Sequence, residues 1–330
     1  MDVMTALSRA REGDNTAFAE LVEPFRRELY VHCYRMLGSV QDAEDVLQET
    51  LTAAWRGLSG FGERASLRTW LYRIATNRCL NWLRDGERRP RTVTTFPPGV
   101  EPPEPTRRVD PIWLQPIPDT LLSGLPDDTP GPEARYERRE AVSLAFVAAV
   151  QSLPPRQRAV LLLRDVLGYR AAEAASLLDM TEDAANALLR RARSADFPQP
   201  GSPPPSPRQR QAAAAFATAI EAGDVDAMVQ LLTDDAWLTM PPAELEYQGH
   251  EAIATFMRNI GFRSGHRRYS LIPTSANYQP AYGCYVSDDG APIAHAHGVL
   301  VLTVTDTKVS AFTRFIDNAL LPYFGLPRRL

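Results

Sequence analysis

At 330 residues, with 44% hydrophobic and 23% charged content, the chain is long enough for two or three domains and ordinary for a globular protein. A formal net charge of −4 excludes attraction to nucleic acid by the average charge, so any such role must come from local basic faces. Cys33, Cys79 and Cys284 are odd in number and far apart, which excludes a disulfide framework and a metal-ligand spacing, and no leader-like or membrane-length apolar run is evident, so a reducing cytoplasm is expected.

Proline sets the domain plan. Of 28 prolines, twelve lie between Pro90 and Pro132 and six between Pro198 and Pro207. Proline removes a backbone donor and stops helices, so both windows read as linkers. The expected plan is a domain over 1–87, a linker over 88–132, a domain over 133–196, a second linker over 197–207 and a domain over 208–330.

Residues 16–85 read as helices. Phe18, Leu21, Val22, Phe25, Leu29 and Cys33 recur at helical spacing, and Gly38 ends the run. Ser39 followed by Asp42 is a capping-box-like start for the next helix. Its inner face is Ala43, Val46, Leu47, Thr50, Leu51 and Ala54, while Asp42, Asp45 and Glu49 line up on another face. Such acids suit either a solvated helix start or a protein partner. A short loop then holds Phe61 between Gly60 and Gly62. Ser66 caps a helix with the apolar stripe Leu67, Trp70, Leu71, Ile74 and Leu83, and Arg73, Asn77, Asn81 and Arg84 share an outer face. An aromatic ring beside amides and guanidinium groups suits an unpaired base, and "GERRPR" adds phosphate-seeking charge. The bland alternative is a three- or four-helix bundle with a basic edge.

The stretch from Arg135 to Ser194 reads as four helices. The first runs to about Gln151, "LPPRQR" starts the second with proline near its first turn, and Gly168 ends it. "RAAEAASLL", the turn "DMTE" and a helix capped by Thr181 and ending in Arg190, Arg191 and Arg193 form a helix-turn-helix pattern. Asn186, Arg190 and Arg193 fall on one face of the last helix, and such residues read base edges well.

Taken in order, "DAEDVLQET", "RTWLYRIATNRCLNWLRD" and "LPPRQRAVLLLRDVLGYRAAEAASLLDMTEDAANALLRRAR" resemble the extracytoplasmic-function (ECF) sigma factors of the sigma-70 family over roughly residues 10–195, apart from the linker. The resemblance implies that Asp42, Asp45, Gln48 and Glu49 dock on the β′ clamp helices of core RNA polymerase, with the β subunit a further partner. It implies that the Phe61 loop captures a flipped base of the promoter −10 element, with Asn77 facing DNA. It also implies that Asn186, Ala187, Arg190 and Arg191 read the −35 element, although Asn186 and Ala187 are less basic than many members offer there. The long proline-rich linker departs from the family's short one. It contains "DPIWLQPIPD", whose Trp113, Leu114 and Ile117 are expected to dock on the third domain or on polymerase, the alternative being a loose tether.

In the third domain helices come first and a meander of strands follows, which indicates α+β. "AIEAGDVDAMVQLLTDDAWLTMPP", "YQGHEAIATFM" and "FIDNALLPYFGLP" resemble the SnoaL-like, NTF2-like fold, in which a curved sheet and helices enclose a conical pocket. Candidate lining residues are Trp237, Met240, Tyr247, His295, His297 and Arg314, with a small ligand as a possible occupant. His295 and His297 alternate on one strand face but lack a third ligand nearby, so no metal, cofactor or catalytic residue is assigned.

The expected fold is therefore multi-domain: an all-α bundle, an all-α helix-turn-helix and an α+β cone. The expected function is promoter-specific transcription initiation, modulated in cis by the last domain. A helix-turn-helix regulator independent of polymerase and an NTF2-like enzyme fused to a sigma module are the alternatives.

Overall fold

A computed structural model describes residues 3–62, 66–86, 101–108, 113–123, 141–194, 205–288 and 290–330. The basic residues 87–91 after the first helical domain lie outside the described residues. The chain divides into two compact units, Met1–Arg89 with Leu121–Pro200, and Pro90–Thr120 with Gly201–Leu330. This differs from the three-part reading of the sequence. The two helical domains pack as one unit, and much of the first linker belongs with the C-terminal domain.

In the first unit, α1 (Val3–Arg11), α2 (Asn15–Leu37), α3 (Val40–Gly57) and α4 (Leu67–Gly86) form a bundle. α1 escaped the sequence reading because nine residues are too few for a clear periodic signal; packing of Ala6, Leu7 and Ala10 holds it. Local chemistry sets the boundaries that follow. Asp14 Oδ1 accepts from the Thr16 and Ala17 amides at the start of α2. Gly38, at φ +72, closes α2 in a left-handed conformation that glycine adopts without steric cost. Ser39 Oγ then accepts from Asp42 N at 3.1 Å and opens α3.

The α2 and α3 stripes bury Leu21, Val22, Leu29, Cys33, Ala43, Val46, Leu47, Thr50 and Ala54. Phe18 and Phe25 are only half-buried. On α4 the buried stripe is Trp70, Leu71, Ala75 and Cys79, whereas Leu67, Ile74 and Leu83 are half-buried. Small residues at 75 and 79 let α4 lie close to its neighbours.

The second helical domain has α5 (Leu144–Gln151), α6 (Pro155–Leu161, continued by a wider turn to Val166), α7 (Ala171–Leu177) and α8 (Glu182–Arg193). Pro155 stands at the first turn of α6, and Thr181 Oγ1 accepts from Ala184 N at 3.2 Å to cap α8. The end of α2 joins the two helical domains. Arg35 Nε donates to Ala141 O at 2.8 Å, and Gln151 Nε2 donates to Arg35 O at 3.0 Å. Arg158 is 5% exposed and donates to the carbonyls of Met36, Gln151 and Leu153. Burial lowers its pKa to about 10, so it remains a cation held by carbonyl dipoles. Nearby, Arg68 pairs bidentately with Glu28 at 2.7 and 3.0 Å, and Tyr72 meets Tyr169 ring to ring at 6.0 Å.

The second unit opens with α9 (Pro207–Ala222) and α10 (Val225–Gln230) and includes α11 (His250–Phe256). Its strands are β1 (Arg107–Arg108), β2 (Leu232–Thr239), β3 (Leu245–Gln248), β4 (Arg267–Ala276), β5 (Gln279–Asp288), β6 (His295–Thr305) and β7 (Lys308–Phe315). The sheet order is β1-β3-β2-β7-β6-β5-β4, and only β2 and β7 run parallel. The helices cover one face, where Phe216, Met228, Leu238, Tyr247, Phe256, Leu271, Leu300 and Phe312 build the core. This is the expected α+β cone.

Period-two alternation along the strands decides which residues enter that face. One departure matters. β6 gains a residue opposite β5 between Val299 and Ala296, and Gly298 there has φ +94. A Cβ on Gly298 would lie 1.8 Å from Phe315 O, so only glycine fits this bulge. The bulge allows both Leu300 and His297 to face the concave side.

Candidate nucleic-acid interface

α4 presents three faces. Leu71, Ala75 and Cys79 point into the bundle. Arg73, Asn81 and Arg84 are exposed and Asn77 is half-buried, so all four lie along one outer strip at i, i+4, i+8 and i+11. Arg84 shares an exposed contact with Asp85 at 3.2 Å. The third face, with Arg78 and Trp82, borders α3. There Asp45, Gln48 and Glu49 line an open groove of about 830 Å³ together with Thr52, Arg56 and Trp82. Asp42 lies one turn earlier, half-buried, outside that groove lining. The groove is mixed in charge, a feature the acidic pattern alone does not reveal.

Phe61 departs from the exposed ring that base stacking would need. It is 7% exposed, packs on Trp70 at 5.0 Å between ring centroids, and its carbonyl accepts from Arg11. In this conformation the ring is a packing group, so base capture would require the loop to open.

On α8, Ala185, Leu189 and Ala192 are buried, which turns Asn186, Ala187, Arg190 and Arg191 outward. Arg190 and Arg191 accept from Ser194 through their backbone carbonyls, but the side chains of Asn186, Arg190 and Arg191 make no hydrogen bond or ion pair among the described residues. Arg193 differs. It forms a bidentate pair with Asp165, Nη2 to Oδ1 at 2.7 Å and Nε to Oδ2 at 2.9 Å, and that bond raises its pKa. It joins α8 to the end of α6, so its guanidinium is paired where those of Arg190 and Arg191 are not. The acids Glu182 and Asp183 sit in the first turn, where the helix dipole favours them.

In the second unit the linker is seated on the cone. Arg107 pairs with Glu246 directly across the β1–β3 ladder and lies 4.7 Å over the Trp237 ring. Tyr247 Oη donates to Pro103 O at 2.9 Å, and burial lifts its pKa to about 12. Gln115 reaches Asp317 at 3.2 Å. Ile117 is fully buried; its amide donates to Asn277 Oδ1 at 3.0 Å and its carbonyl accepts from Asn277 N at 2.9 Å. Leu114 is 6% exposed. Trp113 corrects the expectation for the linker patch, because it is 42% exposed and does not bury with its neighbours.

Of the six expected cone residues, Met240, Tyr247 and Arg314 are buried on the concave side, and His297 joins them at half burial. Trp237 and His295 are not buried with them, and Trp237 points elsewhere. It alternates with the core residues Ala236 and Leu238, so it faces the other side of the sheet, under Arg107. His295 is exposed at the strand start. His297 Nδ1 accepts from Arg314 at 2.9 Å, and burial followed by Arg314 and Arg267 lowers its pKa to about 3. Among the described residues no group of three His, Cys, Asp or Glu is placed to hold a metal ion, and no helix is long and apolar enough to cross a membrane.

A helix-turn-helix whose outer face is unpaired, packed in one unit with a second polar helix face, makes this a DNA-binding transcription protein with an appended α+β domain. Sequence comparison names the family. Family profiles match sigma-70 region 2 over residues 21–89, sigma-70 region 4 over 143–195 and a SnoaL-like domain over 213–312. The ECF RNA polymerase sigma factor SigG of Mycobacterium tuberculosis is 43% identical, covering 97% of this chain and 86% of the relative. SigJ of the same species is 30% identical over 88% of each chain. The crystal structure of Mycobacterium tuberculosis SigJ superposes with a TM-score of 0.59 at 22% identity, covering 92% of this chain and 97% of that one, which shows a shared fold. The chain belongs to the ECF sigma factors of the sigma-70 family, and its function is promoter-specific transcription initiation.

Proposed function

We propose that this sigma factor binds core RNA polymerase through the α3 face of Asp42, Asp45, Gln48 and Glu49. The strip Arg73, Asn77, Asn81 and Arg84 contacts the −10 element, with Phe61 capturing a base after its loop opens. Asn186, Ala187, Arg190 and Arg191 read the −35 element in the major groove. The observation that carries the DNA assignment is the set of unpaired donors on α8 beside the paired Arg193. Amide and guanidinium groups left free of protein partners are available to base edges and phosphates.

The cone acts as a cis regulator, not as an enzyme, and works with polymerase in the cytoplasm. Support for the regulatory role comes from the linker. Residues 101–108 and 113–119, which stand between the two DNA-binding domains in sequence, are tied to the cone by Arg107, Gln115 and Ile117. Events in the cone therefore reach the segment that sets the separation of the −35 and −10 readers. Support for the non-enzymatic role comes from His297, whose ring partner is a cation that keeps it neutral and leaves it without a carboxylate to raise its basicity.

The test is transcription in vitro from the protein's own upstream region with core polymerase. Full-length protein, residues 1–200 and Ile117→Asp are compared. Promoter-specific transcripts with full-length protein, lost in Arg190→Ala with Arg191→Ala, are expected. Equal transcript levels from all three forms of the linker–cone series would sink cis regulation.

A further inference from the structure

The inner polar cluster of the cone lacks acceptors. Arg314 on β7 is 6% exposed, and its two bonds go to neutral groups: Nη1 to Tyr269 Oη at 2.8 Å and Nη2 to His297 Nδ1 at 2.9 Å. Among the described residues no carboxylate pairs with it. Arg267 on β4 is half-buried, and its Nε is buried with no hydrogen-bond partner. Because His297 Nδ1 accepts from Arg314, the neutral ring carries its proton on Nε2, a donor without a partner among the described residues. Arg263 adds a third guanidinium to the same neighbourhood, held by a loose contact to Asp288 at 3.7 Å.

Buried cations are ordinarily paired, and buried donors are ordinarily satisfied. Here two guanidinium groups and an imidazole N–H stand together with acceptors short. The same cluster has apolar neighbours. Phe262 packs edge-on to Tyr269 at 5.4 Å, Leu300 lies opposite Arg314 on the adjacent strand, and Cys284 stands close to Arg314. Half-buried Arg267 and His297 leave the cluster reachable from solvent.

We infer that this cluster binds a small organic carboxylate with an apolar body, its carboxylate held by Arg314, Arg267 and His297 Nε2. A planar guanidinium fork matches a planar carboxylate, and the apolar walls favour a hydrocarbon body over inorganic phosphate. The inference adds to the cis-regulatory reading of the cone the small ligand expected from its sequence, and specifies the charge of that ligand. The Gly298 bulge gives His297 this role, because an unbroken β6 would turn that ring to the opposite face.

The experiment is calorimetric titration of the full-length chain with octanoate and with its uncharged counterpart octanamide. Octanoate is expected to bind about tenfold or more tighter than octanamide. Arg267→Gln is expected to erase most of that preference while leaving the thermal midpoint unchanged, and Arg314→Met, if folded, to erase the rest. Equal binding of the two compounds would overturn the carboxylate assignment and leave the ligand-holding reading standing. Binding of neither would overturn both. An octanoate preference that survives Arg267→Gln would also overturn the assignment to this cluster.

Discussion

Asn277 offers a sharp test of how the linker is attached to the cone. It lies in the β4–β5 turn at φ +53, is 1% exposed, and holds Ile117 by two bonds, one from its backbone amide and one to its side-chain oxygen. Asn277→Ala removes the acceptor for a buried amide, which costs about 1–3 kcal/mol. It also places a Cβ-bearing residue without a local hydrogen bond in the left-handed region, which costs about 1–2 kcal/mol. The expected loss is the sum of those terms, about 2–5 kcal/mol. Asn277→Gly loses the same acceptor but tolerates positive φ, so it is expected to lose about 1 kcal/mol less than alanine. Urea unfolding read from the C-terminal unit gives the stability. Hydrogen exchange at the Ile117 amide gives the local opening, which matters because a chain with two units need not unfold in one step. Ile117 exchange that is unchanged in both variants, with midpoints equal to wild type, would refute the account of the linker seat.

Four further outcomes follow from the same geometry. Arg193→Gln and Asp165→Asn remove the two halves of one exposed pair, so each is expected to cost no more than about 1 kcal/mol; DNA-binding assays should show similar small losses for the two, whereas Arg190→Gln should weaken DNA binding at unchanged thermal stability. Gly298→Ala should destabilise the C-terminal unit by more than about 3 kcal/mol, because the new Cβ meets Phe315 O and φ stays at +94; an unchanged thermal midpoint would show that the bulge relaxes freely. His32 is fully buried, and burial followed by Arg35 and Arg68 lowers its pKa from the usual 6.5 to about 3. A base whose pKa is depressed by folding gives its full stability above pH 6.5, and that stability drains as pH falls toward 3, by up to about 1.4 kcal/mol per unit; His32→Gln should flatten the slope between pH 6.5 and 4 in urea titrations. Arg158→Met leaves the Met36, Gln151 and Leu153 carbonyls without their shared donor, and a loss of about 3 kcal/mol or more is expected from chemical denaturation of the helical unit.

The local devices were readable in advance. Gly38, Ser39, Pro155, Gly168 and Thr181 mark helix ends where the structure has them, because capping and turn chemistry act within a few residues. The order of sigma-like motifs was also legible, as was the meander of strands that follows the helices of the last domain. Half-burial of Phe18, Ile74 and Leu83 was not, since a periodic apolar stripe shows which face turns inward but not how far the neighbouring helix covers it.

The sequence alone thus determined the element types outside α1 and the linker strand β1, the helix-turn-helix, the α+β character of the last domain and the family. Tertiary structure alone decided four things. It seated Ile117 on Asn277 and left Trp113 outside. It turned Trp237 away from the concave face, and it tied Arg193 to Asp165. It also brought Arg314 to His297 through a bulge at Gly298. Each joins residues far apart in the chain or depends on strand register, and a one-residue change of register reverses every face along a strand. Composition and periodicity are blind to register, because it is fixed by which surfaces meet when the chain closes on itself.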